Sequence, residues 1–172
     1  MLEVVSPALT LLEIMRRGSG TSKSGFLTST KYLSTWLRSE QKGDRAFEAA
    51  RERFMLSNAG YCVVQYVLGL GDRHPSNIMV KPNGNLFHID FGHFLGNFKK
   101  AGGVLRETAG VAFTEAHLHL LGGRESLLFK EFIVTSCKAF MILRKNADIF
   151  VGLLSMMLST GIPELQTADD IR

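Results

Sequence analysis

The chain has 172 residues, of which 45% are hydrophobic and 21% charged, a composition that excludes general disorder and fits one domain. Twenty Lys and Arg against 16 Asp and Glu give a net charge of +4, which favours an anionic partner without selecting one. No apolar run reaches the ~18 residues that a membrane span needs, and we expect no secretory signal.

The first part of the chain is predicted to be mostly helical. Residues 2–17 indicate an extended piece that continues into a short helix, and a polar loop with three glycines covers 18–25. Apolar residues three and four apart predict a second helix over 30–39. A long helix is predicted from Asp44 to Leu68, and its end, 61–68, is apolar nearly all round, which is typical of a helix buried inside a domain.

The middle of the chain changes from helix to short strands and loops. Two strand-like runs, 78–80 and 86–90, flank Asn83-Gly84, a pair typical of tight hairpin turns. Five glycines in the next segment, 92–113, predict a mobile loop.

Helices return in the last part of the chain. They are predicted over 114–121, 125–144 and 148–158, and 167–170 has the pattern of a further helix start. The predicted fold is therefore mainly α with a small β-hairpin, and it has no five- or six-stranded sheet.

Two cysteines cannot support a disulfide-rich scaffold. Cys62 and Cys137 each lie in an apolar stretch of predicted helix. We therefore predict two buried, reduced thiols in a cytosolic protein.

Oxygen-bearing side chains surround the predicted hairpin. Asp72 lies on the loop before it, Asn77 begins its first strand and Asp90 ends its second. Because a hairpin closed at its turn brings its open ends together, Asn77 and Asp90 should be spatial neighbours. Amide and carboxylate oxygens suit Mg²⁺, and the remaining carboxylate could orient a substrate hydroxyl, so the pattern predicts phosphoryl transfer. The alternative, that all three are turn or strand-end residues, leaves the clustering unexplained.

The loop and the hairpin resemble the phosphatidylinositol 3-kinases. Asp72-Arg73-His74, which reverses the His-Arg-Asp order of protein kinases, is typical of lipid kinases and their relatives, and His88-Ile89-Asp90-Phe91-Gly92-His93 is similar to class I members. The likeness continues through 150–165. It implies that residues 1–172 are a partial lipid-kinase catalytic domain, the C-terminal lobe of a protein-kinase-like α+β fold. Its parts would be a hinge at 3–5, a catalytic loop at 70–78, an activation loop at 90–114 and a helical remainder.

The resemblance implies a chemical role for five side chains. Asp72 would be the catalytic-loop aspartate, while His74 and His93 would transfer protons and stabilise phosphate charge. Asn77 and Asp90 would bind Mg²⁺ against the phosphates of ATP.

The resemblance also implies contacts to adenine and to the lipid. Met79 and Ile89 would form an apolar floor under adenine, and the backbones of Glu3 and Val5 would hydrogen-bond it. The phosphoinositide headgroup would meet three basic residues: Lys99, Lys100 and Arg106. Other basic positions expected near Arg106 are missing, and each lost cation removes a charge-assisted bond, so we expect weaker discrimination for the bisphosphorylated lipid.

Some parts of a complete kinase cannot be placed in this sequence. Lys23, in the loop 18–25, lacks the preceding glycines of a phosphate-binding loop. We therefore expect an absent N-terminal lobe, absent final helices that would lie on the membrane, and negligible turnover by the chain alone. The whole enzyme would be cytoplasmic and peripheral at membranes. It would use ATP on the inositol 3-hydroxyl, with a possible regulatory subunit or small GTPase bound through the missing regions.

Three other functions remain open from the sequence. The first is a catalytically silent kinase lobe kept for interactions, and the second is a related serine/threonine protein kinase. The third is a non-haem iron oxygenase, because His88 and Asp90 share one strand face and His117 or His119 could supply a further ligand. Nucleic-acid binding has no support beyond the mild positive charge.

Overall fold

A computed structural model describes residues 4–18, 30–95, 100–101, 104–105 and 110–171, the two short pairs as backbone alone. The helices in this part of the chain are α1 (Leu11–Gly18), α2 (Tyr32–Ser39), α3 (Asp44–Val67), α4 (Glu115–Leu120), α5 (Leu127–Lys145) and α6 (Ala147–Met157). The strands are β1 (Leu9–Thr10), β2 (Ile78–Val80), β3 (Leu86–His88), β4 (Lys100–Ala101) and β5 (Val104–Leu105). Two 3₁₀ turns, Leu158–Thr160 and Ala168–Ile171, follow the last helix. The mainly helical fold with a small hairpin is confirmed.

The long helix α3 is the centre of the packing. It lies against α5 on one side and against β3 on the other. Phe54 and Met55, in the middle of this helix, are fully buried. The core around them draws apolar side chains from α1, α2, the hairpin and α4: Leu11, Ile14, Leu33, Leu37, Ile78, Val80, Leu86, Leu120 and Leu121.

The predicted hairpin is present and carries a third strand. β2 pairs antiparallel with β3, with Ile78 opposite His88, and β1 adds to the other edge of β2, with Thr10 opposite Met79. A backbone hydrogen bond of 3.0 Å from Leu12 to Pro75 joins the start of α1 to the loop before β2. The hairpin and the loop before it are therefore attached to the N-terminal elements.

The turn of the hairpin is pressed against α3. Gly84 has a φ of +100°, and a Cβ at this position would lie 2.0 Å from the carbonyl oxygen of Ala50. Only glycine fits both the backbone conformation and the close approach. The N–H of Leu86 donates to Ser57 Oγ on α3 at 2.9 Å, which fixes the hairpin on the helix.

Two sequence-based expectations need correction, and one glycine-containing segment includes a short strand ladder. The end of α3 is not buried all round, because Tyr66 is 62% exposed and Val64 and Val67 are also exposed. Cys62 is buried as predicted, but Cys137 is exposed, at the open side of an apolar cleft between α3 and α5. The glycine-containing segment 92–113 includes a two-stranded antiparallel ladder formed by β4 and β5. The polar loop 18–25 lies outside the described residues except for Gly18.

Helices α5 and α6 form an arm, Leu127–Met157, with many exposed apolar side chains. Ile149 on α6 is 61% exposed and Ile142 on α5 is 64% exposed. None of the helices in the described part of the chain combines the length and the hydropathy that a membrane-spanning helix requires.

Candidate functional site

The guanidinium of Arg73 joins the loop before β2 to the chain that follows β3. Its Nε donates to the carbonyl of Gly71 at 2.7 Å, and one terminal nitrogen donates to the carbonyl of Ile89 at 2.7 Å. The other terminal nitrogen donates to the carbonyl of Asp90. Charged donors form strong hydrogen bonds to carbonyls, so this buried side chain holds the Asp72 and Asp90 segments together.

Asn77 connects the same two segments from the first residue before β2. Its side-chain Nδ2 donates to the carbonyl of Asp72 at 2.9 Å, and its backbone carbonyl accepts from the N–H of Ile89 at 3.0 Å. The predicted neighbourhood of Asn77 and the end of the second strand is thus present. Asp72, Asn77 and Asp90 belong to one loop cluster, at the open end of the hairpin.

Both aspartates of this cluster have a backbone conformation that L-residues rarely adopt. The φ angles are +58° at Asp72 and +59° at Asp90, in the left-handed region. Such residues cost about 1–3 kcal/mol each and persist where the surrounding structure determines them, as it does here through Arg73 and Asn77. Residues in such conformations are often found at functional sites, so this cluster is the candidate site of the chain.

The two predicted catalytic histidines lie on the same loops. His74 Nε2 is 3.7 Å from Asp72 Oδ2, and His74 Nδ1 accepts from the N–H of Ser76 at 3.2 Å. Because Nδ1 accepts, a neutral His74 carries its proton on Nε2, facing the Asp72 carboxylate. The carbonyl of His93 accepts from the N–H of Gly71 at 2.9 Å, so its segment also lies beside the catalytic loop.

The side-chain oxygen atoms of the cluster are suitable ligands for a hard cation. Since Asn77 donates through Nδ2, its Oδ1 oxygen is directed away from that bond and is the group that can ligate a metal. Asp90 adds an exposed carboxylate whose Oδ1 also accepts from the N–H of Gly92 at 3.4 Å. Amide and carboxylate oxygens are the ligands that Mg²⁺ prefers, with further oxygens supplied by phosphate and water.

The arrangement does not fit an iron oxygenase. In the described part of the chain no group of three or more His, Cys, Asp and Glu side chains is placed to hold a metal. His88 is buried, with its ring 4.8 Å from the ring of Tyr61, whereas Asp90 is exposed. His88 and Asp90 were expected to share one face of a strand, but β3 ends at His88 and Asp90 lies outside it.

The predicted adenine and lipid residues are only partly described. Met79, within β2, and Ile89, directly after β3, are half-buried, and Val5 is half-buried four residues before β1. Lys100 lies in β4, where only its backbone is described. Glu3, Lys99 and Arg106 lie outside the described residues.

Sequence reasoning missed two buried polar side chains that fix loop segments in place. One is Arg73, which the sequence motif Asp72-Arg73-His74 contains but to which we assigned no structural role. The other is Gln65, a buried side chain whose Oε1 accepts from the N–H of Ala112 at 2.8 Å and so attaches the segment before α4 to α3. A polar residue inside the apolar run 61–68 was the available signal.

Comparison with known proteins shows the family to which the sequence is similar. The sequence pattern of the family described as "Phosphatidylinositol 3- and 4-kinase" matches residues 11–167. The chain is 51% identical over 171 residues to "Phosphatidylinositol 3-kinase 2" and 47% identical over 171 residues to "Phosphatidylinositol 3-kinase 1", both of Dictyostelium discoideum. It is 38% identical over 174 residues to the human "Phosphatidylinositol 4-phosphate 3-kinase C2 domain-containing subunit beta".

These alignments cover 99%, 99% and 100% of the chain but only 9%, 11% and 10% of the respective relatives. The chain thus spans about a tenth of the length of these relatives. The match runs through the loop cluster and through all the helices described above. The chain belongs to the phosphatidylinositol 3- and 4-kinase family.

Proposed function

We propose that this chain is the metal- and substrate-orienting lobe of an enzyme that transfers the γ-phosphoryl group of ATP to the inositol 3-hydroxyl of phosphatidylinositol lipids. Asp72 orients the hydroxyl, and Asn77 and Asp90 hold Mg²⁺ against the nucleotide phosphates. His74 and His93 transfer the proton and stabilise the charge that develops on the phosphate. Mg²⁺, when bound, would neutralise phosphate charge in the transition state.

The observation that carries this proposal is the attachment of the two aspartate loops to each other. Arg73 and Asn77 bond to backbone groups of both segments, so the two left-handed aspartates are held in one cluster before any ligand binds. Phosphoryl transfer depends mainly on positioning and on electrostatic stabilisation. A preformed set of oxygen donors meets the first of these requirements.

The lipid substrate is inferred from the names of the relatives and from the charge near the site. All three relatives are named for 3-kinase activity on phosphatidylinositol lipids, and one name specifies phosphatidylinositol 4-phosphate. The chain keeps Lys99, Lys100 and Arg106 but lacks other basic positions of class I members. We infer a weaker preference for the 4,5-bisphosphate than those enzymes have, at a cytosolic membrane surface.

The test is phosphate transfer by the full-length protein that contains this chain. Radiolabelled ATP, Mg²⁺ and phosphatidylinositol vesicles should give 3-phosphorylated lipid, and Asp90→Asn or Asp72→Asn should lower the rate by about 100-fold or more. The matched control is Asp44→Asn, since Asp44 lies at the exposed start of α3, and it should keep the wild-type rate. Comparing phosphatidylinositol with its 4,5-bisphosphate measures the substrate preference.

The same assay separates the alternatives. Nucleotide binding without any product would indicate a catalytically silent kinase lobe. Label on protein and none on lipid would indicate a serine/threonine kinase. The 172-residue chain by itself should give negligible product, and a robust rate from it would overturn that part of the proposal.

A further inference from the structure

Three buried polar side chains lie under the hairpin and are not among the proposed catalytic or metal-binding residues. Asn58 on α3, His88 on β3 and His117 on α4 are 1%, 4% and 0% exposed. Within the described part of the chain, Asn58 Nδ2, His88 Nδ1 and His117 Nε2 have no hydrogen-bond partner. A buried polar group without a partner is destabilising, so three together require an explanation.

The three side chains converge on one face of α3. The ring of His117 lies edge-on to Phe54 at 5.5 Å, and the ring of His88 lies 4.8 Å from Tyr61. Asn58 is four residues after Phe54 and three before Tyr61, so it occupies the same helix face between the two ring contacts.

The chemistry of the three nitrogen atoms can be assigned. His117 Nδ1 accepts from the N–H of Thr114 in the N-terminal cap of α4, at 3.4 Å. A neutral His117 therefore carries its proton on Nε2 and presents a donor. The Nδ2 group of Asn58 is also a donor, and His88 Nδ1 is an acceptor when that ring carries its proton on Nε2.

Two donors and one acceptor match a water molecule and no metal ion. We infer that one buried water molecule lies between them, accepting from Asn58 Nδ2 and His117 Nε2 and donating to His88 Nδ1. A buried water typically makes about three such bonds. A direct bond between the two histidines would leave the Asn58 donor unsatisfied, and an amide nitrogen does not ligate cations.

This water links the three elements around the site. β3 contributes His88, two residues before Asp90, while α3 and α4 contribute the other two contacts. The water thereby ties the strand that leads into the Asp90 loop to the helix on which the hairpin rests. The inference depends on the packing alone and holds whether or not the proposed enzyme activity is correct.

The first test is NMR of the full 172-residue chain labelled with ¹⁵N. We expect an Nε2–H proton on His117 that is slow to exchange and shows a cross-peak to a long-lived water. A proton on His117 Nδ1 would overturn the inference. A through-bond coupling between the two imidazoles without a water cross-peak would overturn it as well.

The second test is a double-mutant cycle with Asn58→Ala and His117→Phe. Because both groups bind the same water, their effects on the unfolding equilibrium constant should differ from additivity by about fivefold or more. Leu56→Ala with His119→Gln is the matched control, since both side chains are exposed on the same two helices, and it should be additive. Additivity within about twofold for Asn58 and His117 would contradict the shared water. If either variant does not fold, the NMR result on the wild type decides.

Discussion

The loop cluster around Arg73 and the α5–α6 arm differ in how this chain stabilises them. In the loop cluster, the backbone groups of Gly71, Asp72, Ile89 and Asp90 bond to buried side chains or to other backbone groups from a distant part of the sequence. In the arm, Phe132 is the only side chain that is buried, among the residues that the structure describes, and large apolar side chains of α6 remain exposed.

This difference shows that a segment does not need regular secondary structure in order to have a well-defined conformation. The arm is regular helix, with Ser126 Oγ accepting from the N–H of Phe129 at 3.1 Å as an N-terminal cap and α5 packed on α3 around the buried Phe132, yet most of its side chains are exposed. The loop cluster has no regular structure, yet polar contacts between segments far apart in sequence define it. We therefore expect substitutions to be costly in the core and the loop cluster and tolerated at the exposed positions of the arm.

The largest contrast is expected between two phenylalanines. Phe54 is fully buried at the centre of α3, whereas Phe150 on α6 is 40% exposed. Phe54→Ala should lower the free energy of unfolding by about 4 kcal/mol, because it creates a cavity as well as removing apolar contacts. Phe150→Ala should cost less than about 1 kcal/mol. Urea unfolding of both variants measures the contrast, and equal costs would show that the arm is as well packed as the core.

The next contrast separates two arginines that both donate to backbone carbonyls. Arg73 is buried and bonds to three carbonyls, while Arg53 is exposed and bonds to the carbonyl of Asn83, at 2.9 Å. Arg73→Met should cost about 3 kcal/mol, because it removes the donors from one buried and two partly buried carbonyls. It should also reduce lipid phosphorylation in the full-length protein, because Asp90 loses its support.

Arg53→Met is the control for this prediction. It should change the free energy of unfolding by about 0.5 kcal/mol or less and leave phosphate transfer unchanged. A full-length Arg73→Met protein with wild-type transfer would contradict the importance of the contacts between the two loops.

The sequence predicted the elements of the fold better than the contacts of the site. Periodicity and the Asn83-Gly84 pair were sufficient for the helices and the hairpin, because both signals are local. The pairing of β1 with β2 was missed, since two residues next to a helix carry no strand pattern. The neighbourhood of Asn77 and Asp90 followed from hairpin geometry, but the role of Arg73 requires knowing which carbonyls lie within its reach.

A smaller effect should appear when acid is added. Burial, with a lesser contribution from nearby His88, lowers the pKa of His117 to about 4 from an ordinary 6.5. The unfolded chain then binds a proton that the folded chain excludes, so stability rises with pH between about 4 and 6.5 and falls on acidification. This residue should account for about 2 kcal/mol of stability lost between pH 7 and pH 5.

Two variants isolate the contribution of His117. His117→Phe should lose distinctly less stability than the wild type over the same pH interval, because it has no imidazole to protonate. His119→Gln removes an exposed histidine from the same helix and should keep the wild-type pH dependence. Parallel pH profiles for the wild type and His117→Phe would show that the His117 imidazole is not held neutral.

The last prediction compares the reactivity of the two native thiols, one in the core and one in the arm. Cys62 is buried, and burial raises the pKa of its thiol to about 11, so the thiol is protonated at neutral pH. Cys137 is exposed on α5. A thiol reagent at neutral pH should modify Cys137 promptly in the folded chain and Cys62 only at the rate at which α3 opens. Cys137→Ser should therefore remove the fast phase, and Cys62→Ser should leave it. A fast phase that survives Cys137→Ser would mean that the end of α3 opens as readily as the arm, and the two regions would then not differ in stability.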